Sequence, residues 1–255
     1  MEKKPKIILV TQARTGSRRL PKKVLKKIQN KTLLEIHLNR LKKSKKIDMI
    51  VVATTNKAED NEIEDISRKL GITVFKGSEN NVLDRYYQAL KNIEPDWVVR
   101  VTSDCPLIDG ELIDEIIDIT IEGDYDYGSN TLEETYPDGQ DIEVMKFKTL
   151  EKAWIYASKK IEREHVTPYI KKNSDFYNLK MFKSISVICH NNFSKVRMTV
   201  DEINDFDAIS ILIDNLGYDC NWQKYANFIN SNSNLFSNQN NIRNEGYLKQ
   251  LSSND

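Results

Sequence analysis

The chain has 255 residues, of which 39% are hydrophobic and 30% charged, a composition that suits one large α/β domain and argues against a disordered chain. Basic and acidic residues number 38 each, so the formal net charge is zero and a nucleic-acid partner is not expected. Cys105, Cys189 and Cys220 form no C-x-x-C pair, which argues against a disulfide framework or a zinc site and favours a cytoplasmic protein. No apolar run approaches the length of a membrane span, so we expect no membrane partner.

Short apolar runs alternate with helical patterns through the first half of the chain. The predicted strands are at 7–10, 49–53, 72–75 and 97–101. The predicted helices are at 33–41, 61–70, 82–92 and 112–121. This alternation predicts an α/β fold with a mostly parallel central sheet and helices on both faces, in which ligands bind beyond the carboxyl ends of the strands.

The second half is more mixed in its patterns. A half-exposed strand is predicted at 141–147, and further strands at 180–188 and 196–200. Helices are predicted at 150–158, 162–171 and 206–216. The last stretch is rich in Asn and Ser, so we predict a single domain at 1–230 followed by a loosely packed polar tail at 231–255.

A basic loop follows the first predicted strand, at 11–25. It places five cations around Gly16 and Ser17, namely Arg14, Arg18, Arg19, Lys22 and Lys23. A triphosphate is bound by backbone N–H groups, hydroxyls and cations, and this loop supplies all three. The loop matches neither the P-loop nor the dinucleotide pattern. Its position at the end of a strand favours phosphate binding over a merely solvated basic loop.

Two aspartates follow later predicted strands and are candidates for a metal site. Asp104 comes just after the strand at 97–101, and Mg²⁺ prefers one or two carboxylates together with phosphate oxygens and water. Asp201 follows the strand at 196–200, and its pattern suits a second metal ligand and a helix N-cap equally well. For Asp109, before Gly-Glu-Leu, we predict a helix cap.

Two polar segments, at 135–143 and 163–169, could contact a small acceptor molecule. The second contains His165, for which a structural role and acceptor binding are equally favoured. A third segment, Asp124-Tyr-Asp126, is similar to the D-x-D metal motif of nucleotide-sugar glycosyltransferases. A glycosyltransferase therefore stays an alternative.

Taken in order, these segments resemble the cytidylyltransferase family that includes the 3-deoxy-manno-octulosonate and acylneuraminate cytidylyltransferases. The likeness is greatest to its branch of SpsF-type spore-coat polysaccharide biosynthesis proteins. The motifs that carry the resemblance are QARTGS at 12–17, RLPKKVL at 19–25, VVATT at 51–55, FKGSE at 75–79, VLDRYY at 82–87, DCPLID at 104–109, YPDG at 136–139, REHVTPY at 163–169 and TVDE at 199–202.

The resemblance implies a Rossmann-like nucleotidyltransferase fold, CTP as donor, Mg²⁺ as cofactor, a sugar or sugar acid as acceptor, and a CMP-sugar and pyrophosphate as products. It is compatible with a homodimer. The residues implied to be catalytic are Arg14, Lys23 and Asp104, and the implied metal ligands are Asp104 and Asp201. The residues implied to bind the nucleotide are Gln12, Ala13, Arg14, Gly16, Ser17, Arg19, Lys23, Arg100 and Ser103. The residues implied to bind the acceptor are Asp138, Asp141, Glu143, His165 and Tyr169.

The chain departs from the family pattern at two positions. Lys22 stands where the family often has glycine, in L-P-G-K, and Ser103 stands where it often has glycine before the metal aspartate. A non-catalytic nucleotide-binding protein is therefore a second alternative. It predicts triphosphate binding without turnover, whereas a glycosyltransferase predicts no pyrophosphate release from CTP.

Overall fold

The computed structural model describes residues 4–252, which form nine β-strands and ten α-helices. The strands are β1 (Ile7–Gln12), β2 (Lys27–Ile28), β3 (Lys31–Thr32), β4 (Met49–Thr55), β5 (Thr73–Gly77), β6 (Trp97–Thr102), β7 (Tyr127–Ser129), β8 (Glu143–Lys146) and β9 (Ser184–Ser186). The helices are α1 (Leu33–Leu41), α2 (Asn61–Lys69), α3 (Val82–Leu90), α4 (Gly110–Glu122), α5 (Phe147–Tyr156), α6 (Lys160–His165), α7 (Pro168–Lys172), α8 (Ile203–Leu216), α9 (Trp222–Ser231) and α10 (Glu245–Ser252).

Seven strands form the central sheet, in the order β5-β4-β1-β6-β8-β7-β9, and β2 pairs with β3 in a small hairpin. β5, β4, β1 and β6 are parallel neighbours. β8 runs antiparallel to both β6 and β7, and β9 is parallel to β7. Six of the seven strands therefore share one direction, which confirms the predicted α/β fold with its mostly parallel sheet.

Alternate residues of the strands point to two separate apolar cores, one on each face of the sheet. Ile7 and Leu9 join the core covered by α1, α2, α4, α8 and α9. Ile8 and Val10 join the core covered by α3, α5, α6 and α7. Complete burial of one such aliphatic side chain contributes about 1.5–3 kcal/mol, so the helices on both faces stabilise the sheet through these residues.

The structure corrects several predictions for the second half of the chain, and it adds β7, α9 and α10, which were not predicted. β8 is not half-exposed, because helices cover both of its faces and both Val144 and Met145 are fully buried. The predicted strand at 196–200 is an extended segment with one isolated bridge, from Asp138 to Arg197. The predicted helix at 162–171 is two short helices, because Val166 between them has φ 72° and interrupts the helical backbone.

The predicted loose packing of the tail is wrong for the segment around Phe236 and Asn238. Phe236 and Asn238 are buried, and Asn238 Nδ2 donates to Asp205 Oδ1 at 3.1 Å. An Asn- and Ser-rich composition suggested weak packing, but amide side chains can instead be held by buried polar partners. The division into a domain and a tail stays a prediction. Within residues 4–252, no helix combines the length and apolar character needed to cross a bilayer.

Candidate active site

The loops after β1 and β6 begin side by side at the carboxyl edge of the sheet. The two strands are parallel neighbours, and Gln12 at the end of β1 is in register with Thr102 at the end of β6. The basic loop and the Asp104 segment therefore leave the sheet together. This is the edge where ligands bind in parallel α/β sheets.

Lys23 joins the two predicted metal ligands. Its Nζ donates to Asp104 Oδ2 at 3.1 Å, to Asp201 Oδ1 at 2.9 Å and to the Val200 carbonyl at 2.7 Å. The Lys23 side chain is only 13% exposed, so its burial disfavours the charged form, but Asp104 and Asp201 outweigh burial and raise the pKa of Lys23. Burial opposes ionisation of Asp104 as well, yet the adjacent Lys23 holds the pKa of that carboxyl well below its usual range. We call Lys23, Asp104 and Asp201 the Lys23 cluster.

Arg19 extends the Lys23 cluster along its outer side. Its guanidinium lies 2.9 Å from Asp201 Oδ2, 3.7 Å from Glu202 Oε1 and 3.4 Å from Glu245 Oε2. Arg14 lies 3.8 Å from Glu79 Oε1 and farther from other carboxylates. Arg14, Arg19 and Lys23 are thus each held by carboxylates, and they remain partly exposed.

The backbone of the basic loop folds around Thr15. The Thr15 carbonyl accepts from Ser17 N at 2.9 Å and from Lys22 N at 3.0 Å. Thr15 N and Oγ1 donate to Asp60 Oδ1 at 2.8 and 2.7 Å, which fixes the loop to the turn before α2. Lys22 has φ 54°, in the left-handed region that glycine adopts more readily than lysine, at the position where the resemblance implies glycine.

The other predicted nucleotide residues surround this loop. Ala13 and Ser103 are buried at the two strand ends, Gly16 is exposed and Ser17 half-buried. The Gln12 amide oxygen accepts from the hydroxyl of Tyr86, which also donates to the Val10 carbonyl at 3.2 Å. The structure thus brings these residues to one edge of the sheet, with Gln12 tied to α3.

His37 supports the Asp104 loop, although its position in a predicted apolar helix did not mark it as functional. Its Nδ1 donates to the Cys105 carbonyl at 2.9 Å, so its Nε2 must accept from Thr11 Oγ1 at 3.0 Å. Burial lowers the pKa of His37 to about 4, which keeps the ring neutral. His37 therefore positions the peptide that follows Asp104.

The two aspartates predicted as possible helix caps behave differently. Asp109 is the N-cap of α4, and its Oδ1 accepts from Glu111 N at 2.9 Å, which confirms the prediction. Asp201 is not a cap, because Glu202 is the N-cap of α8 and Asp205 completes its capping box. The carboxylate of Asp201 instead pairs with Lys23, Arg19 and Arg197.

Arg100 and Glu143 form a second, buried charge network. The Arg100 guanidinium donates to Glu143, whose other oxygen accepts from Tyr127 Oη at 2.5 Å and lies 3.2 Å from Lys171 Nζ. Burial opposes ionisation of Glu143, but Lys171 and Arg100 lower its pKa to about 2. Arg100, a predicted nucleotide residue, is therefore paired with Glu143, a predicted acceptor residue. We call Arg100, Glu143, Tyr127 and Lys171 the Arg100 network.

A third group joins the predicted acceptor loop to the C-terminal segment. Arg197 Nη1 donates to Asp138 Oδ2 at 2.6 Å, and Arg243 Nη2 donates to Asp141 Oδ1 at 2.6 Å. Arg197 also lies 3.4 Å from Asp201, which places this loop beside the Lys23 cluster. Neither arginine was predicted to be functional, because Arg197 falls in a predicted strand and Arg243 falls in the stretch predicted to be a loose tail.

His165 and Tyr169 lie on either side of the break at Val166. His165 Nε2 hydrogen-bonds the Gln250 side chain at 3.1 Å, and its ring meets Tyr247 edge-on at 5.0 Å. Burial lowers the pKa of His165, which favours its neutral form. Tyr169 packs against Phe182 and donates its hydroxyl to a methionine sulfur.

The D-x-D segment lies at the opposite edge of the sheet. Asp124 and Asp126 precede β7, and both pair with Lys146 Nζ, at 2.8 and 3.1 Å. Lys146 is in register with Trp97, the first residue of β6, so this pair is at the amino ends of the parallel strands. The placement gives no support to a glycosyltransferase metal site.

The two carboxylates of the Lys23 cluster fit a hard divalent cation whose remaining coordination positions are filled by a bound ligand. Within residues 4–252, no group of three or more His, Cys, Asp or Glu side chains is arranged to hold a metal. Asp104 and Asp201 instead offer two carboxylates around one ammonium nitrogen. Mg²⁺ commonly takes one or two carboxylates and obtains its other ligands from phosphate oxygens and water.

Known proteins resemble this chain over nearly its whole length. A family model described as cytidylyltransferase matches residues 7–242. An uncharacterized protein of Methanocaldococcus jannaschii is 40% identical over 245 residues, which are 95% of this chain and 98% of that protein. The spore coat polysaccharide biosynthesis protein SpsF of Bacillus subtilis is 33% identical over 217 residues, covering 83% of this chain and 88% of that protein.

A solved structure agrees in fold as well as sequence. It is a cytidylyltransferase from Leptospira borgpetersenii, 32% identical, with a TM-score of 0.83 over 94% of this chain and 98% of that one. The family match includes the sheet, the basic loop and the Lys23 cluster. The chain therefore belongs to the cytidylyltransferase family and is a CTP-dependent nucleotidyltransferase.

Proposed function

We propose that the protein transfers CMP from CTP to a hydroxyl of a sugar or sugar acid, releasing pyrophosphate and a CMP-sugar for surface polysaccharide or glycoconjugate synthesis. The observation that carries this proposal is the Lys23 cluster, in which one ammonium group lies between two carboxylates at the ligand-binding edge of the sheet. The spore-coat relative supports the polysaccharide context. We place the reaction in the cytoplasm and expect a homodimer.

Asp104 and Asp201 are the proposed ligands of Mg²⁺, with Lys23 occupying the cation position between them when no metal is bound. The bound metal supplies charge neutralisation at the phosphate oxygens. Arg14, Arg19 and Lys23 bind the triphosphate, since all three are cations at the edge of the site and only partly buried. They neutralise the charge that develops on the departing pyrophosphate.

The reaction is a single in-line displacement. An acceptor oxygen forms a bond to the α-phosphorus while the bond to the bridging oxygen breaks, and that electron pair leaves with pyrophosphate. The hydroxyl proton is lost to solvent. Positioning and electrostatics are sufficient for such a step, so no nucleophilic side chain is required.

We divide the predicted acceptor residues according to their exposure. Asp141 is 24% exposed and His165 half-buried, so these two can contact the acceptor. Asp138 and Glu143 are buried against arginines and act as positioning residues. Tyr169 stays a predicted contact, half-buried on α7.

The test is pyrophosphate release with Mg²⁺ and each of CTP, UTP, ATP and GTP, against a panel of acidic, neutral and phosphorylated sugars. Release with CTP and one acceptor is the expected result, and it names the acceptor at the same time. CTP binding without release for any acceptor in the panel would favour the non-catalytic alternative, with Lys22 and Ser103 as the first residues to examine.

A further inference from the structure

Helix α10 is held to the rest of the protein by polar contacts and by one ring contact, between Tyr247 and His165. None of its residues is buried, and Leu248 and Leu251 are 48% and 42% exposed. It spans only eight residues, and Gly246 in its first turn lowers its helix propensity by about 1 kcal/mol relative to alanine. So short a helix is not stable by itself in water, and its stability depends on these few contacts.

The contacts of α10 reach both sides of the site. At its start, Glu245 Oε2 lies 3.4 Å from Arg19 Nη1. Near its end, Gln250 hydrogen-bonds His165 at 3.1 Å, and Tyr247 lies edge-on to the same ring. The helix therefore bridges the proposed triphosphate residues and the proposed acceptor residues.

The chain just before α10 is anchored firmly. Phe236 and Asn238 are buried, and Gln239 both accepts from Arg197 N at 2.7 Å and donates to its carbonyl at 3.1 Å. Asn244, immediately before the helix, has φ 55°. The anchored segment and the weakly held helix thus meet at a left-handed residue, which is a natural hinge.

Glu245 competes with a triphosphate for the same cation. Arg19 faces three carboxylates, of which Asp201 and Glu202 are fixed at the start of α8, and only Glu245 belongs to a weakly held helix. A phosphate at Arg19 would repel the Glu245 carboxylate and replace it as the partner of the guanidinium. The contact most easily given up is therefore the one that holds the start of α10.

We propose that α10 covers the acceptor side of the site until a triphosphate replaces Glu245 as the partner of Arg19. Release at Arg19 loosens the helix and frees His165 from Tyr247 and Gln250. The inference rests on the proposed function in one respect, which is that Arg19 binds the triphosphate.

Amide hydrogen exchange across residues 245–252 of the full-length protein tests this cover. Saturating CTP with Mg²⁺ should speed exchange there about tenfold, since local opening then needs one contact fewer. Glu245→Gln should speed exchange about threefold without nucleotide. Glu245 also pairs with Lys249 within the helix at 2.6 Å, so Lys249→Gln is the matched control that loses this pair but keeps Arg19; it should show a smaller change.

Calorimetric titration of CTP on the same samples separates the two proposals. CTP binding with unchanged or slower exchange in α10 would overturn the cover, because the helix would then be indifferent to the nucleotide or would close over it. Equal exchange in Glu245→Gln and Lys249→Gln would also overturn it. CTP binding with faster exchange but no pyrophosphate release for any acceptor would leave the cover standing and count against the proposed function.

Discussion

The Lys23 cluster and the Arg100 network are both groups of opposite charges at the carboxyl end of β6, yet they differ in burial and in partners. Glu143 is 3% exposed, and Arg100, Tyr127 and Lys171 all contact it. Asp104 and Asp201 are 30% and 20% exposed, and their partners Lys23 and Arg19 belong to the loop after β1. A buried, fully partnered carboxylate stabilises the fold. A partly exposed carboxylate can exchange its cationic partner for a metal ion, or for a cation that also binds a phosphate.

The largest effect on folding should come from the Arg100 network. Glu143→Gln keeps the shape but leaves Arg100 and Lys171 without their anion, and breaking a buried pair costs about 3–5 kcal/mol. Denaturant unfolding measures the loss. Glu64→Gln, which breaks surface pairs with Arg68 and Lys76, is the matched control and should leave the midpoint nearly unchanged. Equal losses in the two variants would remove the distinction between buried and exchangeable pairs.

The largest effect on nucleotide use among the loop cations should come from Lys23. Lys23→Met should lower kcat/KM for CTP about a hundredfold, because a charge directed at the phosphates is lost. The adjacent Lys22→Met removes an equal charge from an exposed side chain and should change kcat/KM less than about threefold. Steady-state kinetics with CTP varied measure both. Similar losses would mean that only the overall charge of the loop matters.

A smaller, pH-dependent effect should come from His37. Burial lowers the pKa of His37 from 6.5 in the unfolded chain to about 4 in the folded protein. Between these pH values the unfolded chain therefore binds a proton that the folded protein does not bind. This contribution to stability is complete above pH 6.5 and is lost as the pH falls toward 4, by at most about 3 kcal/mol. Unfolding free energies of the wild type and His37→Gln should converge as the pH falls through that window. Parallel pH curves would contradict the buried neutral ring.

The first half of the fold was predictable because each signal there was local. Continuous apolar runs marked β1, β4 and β6, and Asp104 and the basic loop followed from their positions at strand ends. Convergence of these loops follows from the parallel sheet. That Lys23 itself lies between Asp104 and Asp201 depends on contacts across 81 and 178 residues, which no local pattern encodes.

The second half was less predictable because tertiary contacts override its local patterns. The segment at 196–200 reads as a strand, but its backbone is used to place Arg197 against Asp138. The Asn- and Ser-rich end resembles a tail in composition, yet Asn238 and Arg243 donate hydrogen bonds to the carboxylates of Asp205 and Asp141. Polar residues give little sequence signal when their stabilisation comes from specific partners far along the chain.

We propose that the Lys23 cluster performs chemistry and does not merely stabilise the fold. The most direct test is Mg²⁺-dependent pyrophosphate release from CTP by Asp104→Asn, measured with the acceptor that supports wild-type turnover, together with the unfolding free energy of the variant. We expect kcat to fall by about 10²–10³, with less change in stability than Glu143→Gln shows. Turnover near that of the wild type, or a loss of activity that only follows a loss of folding, would contradict it.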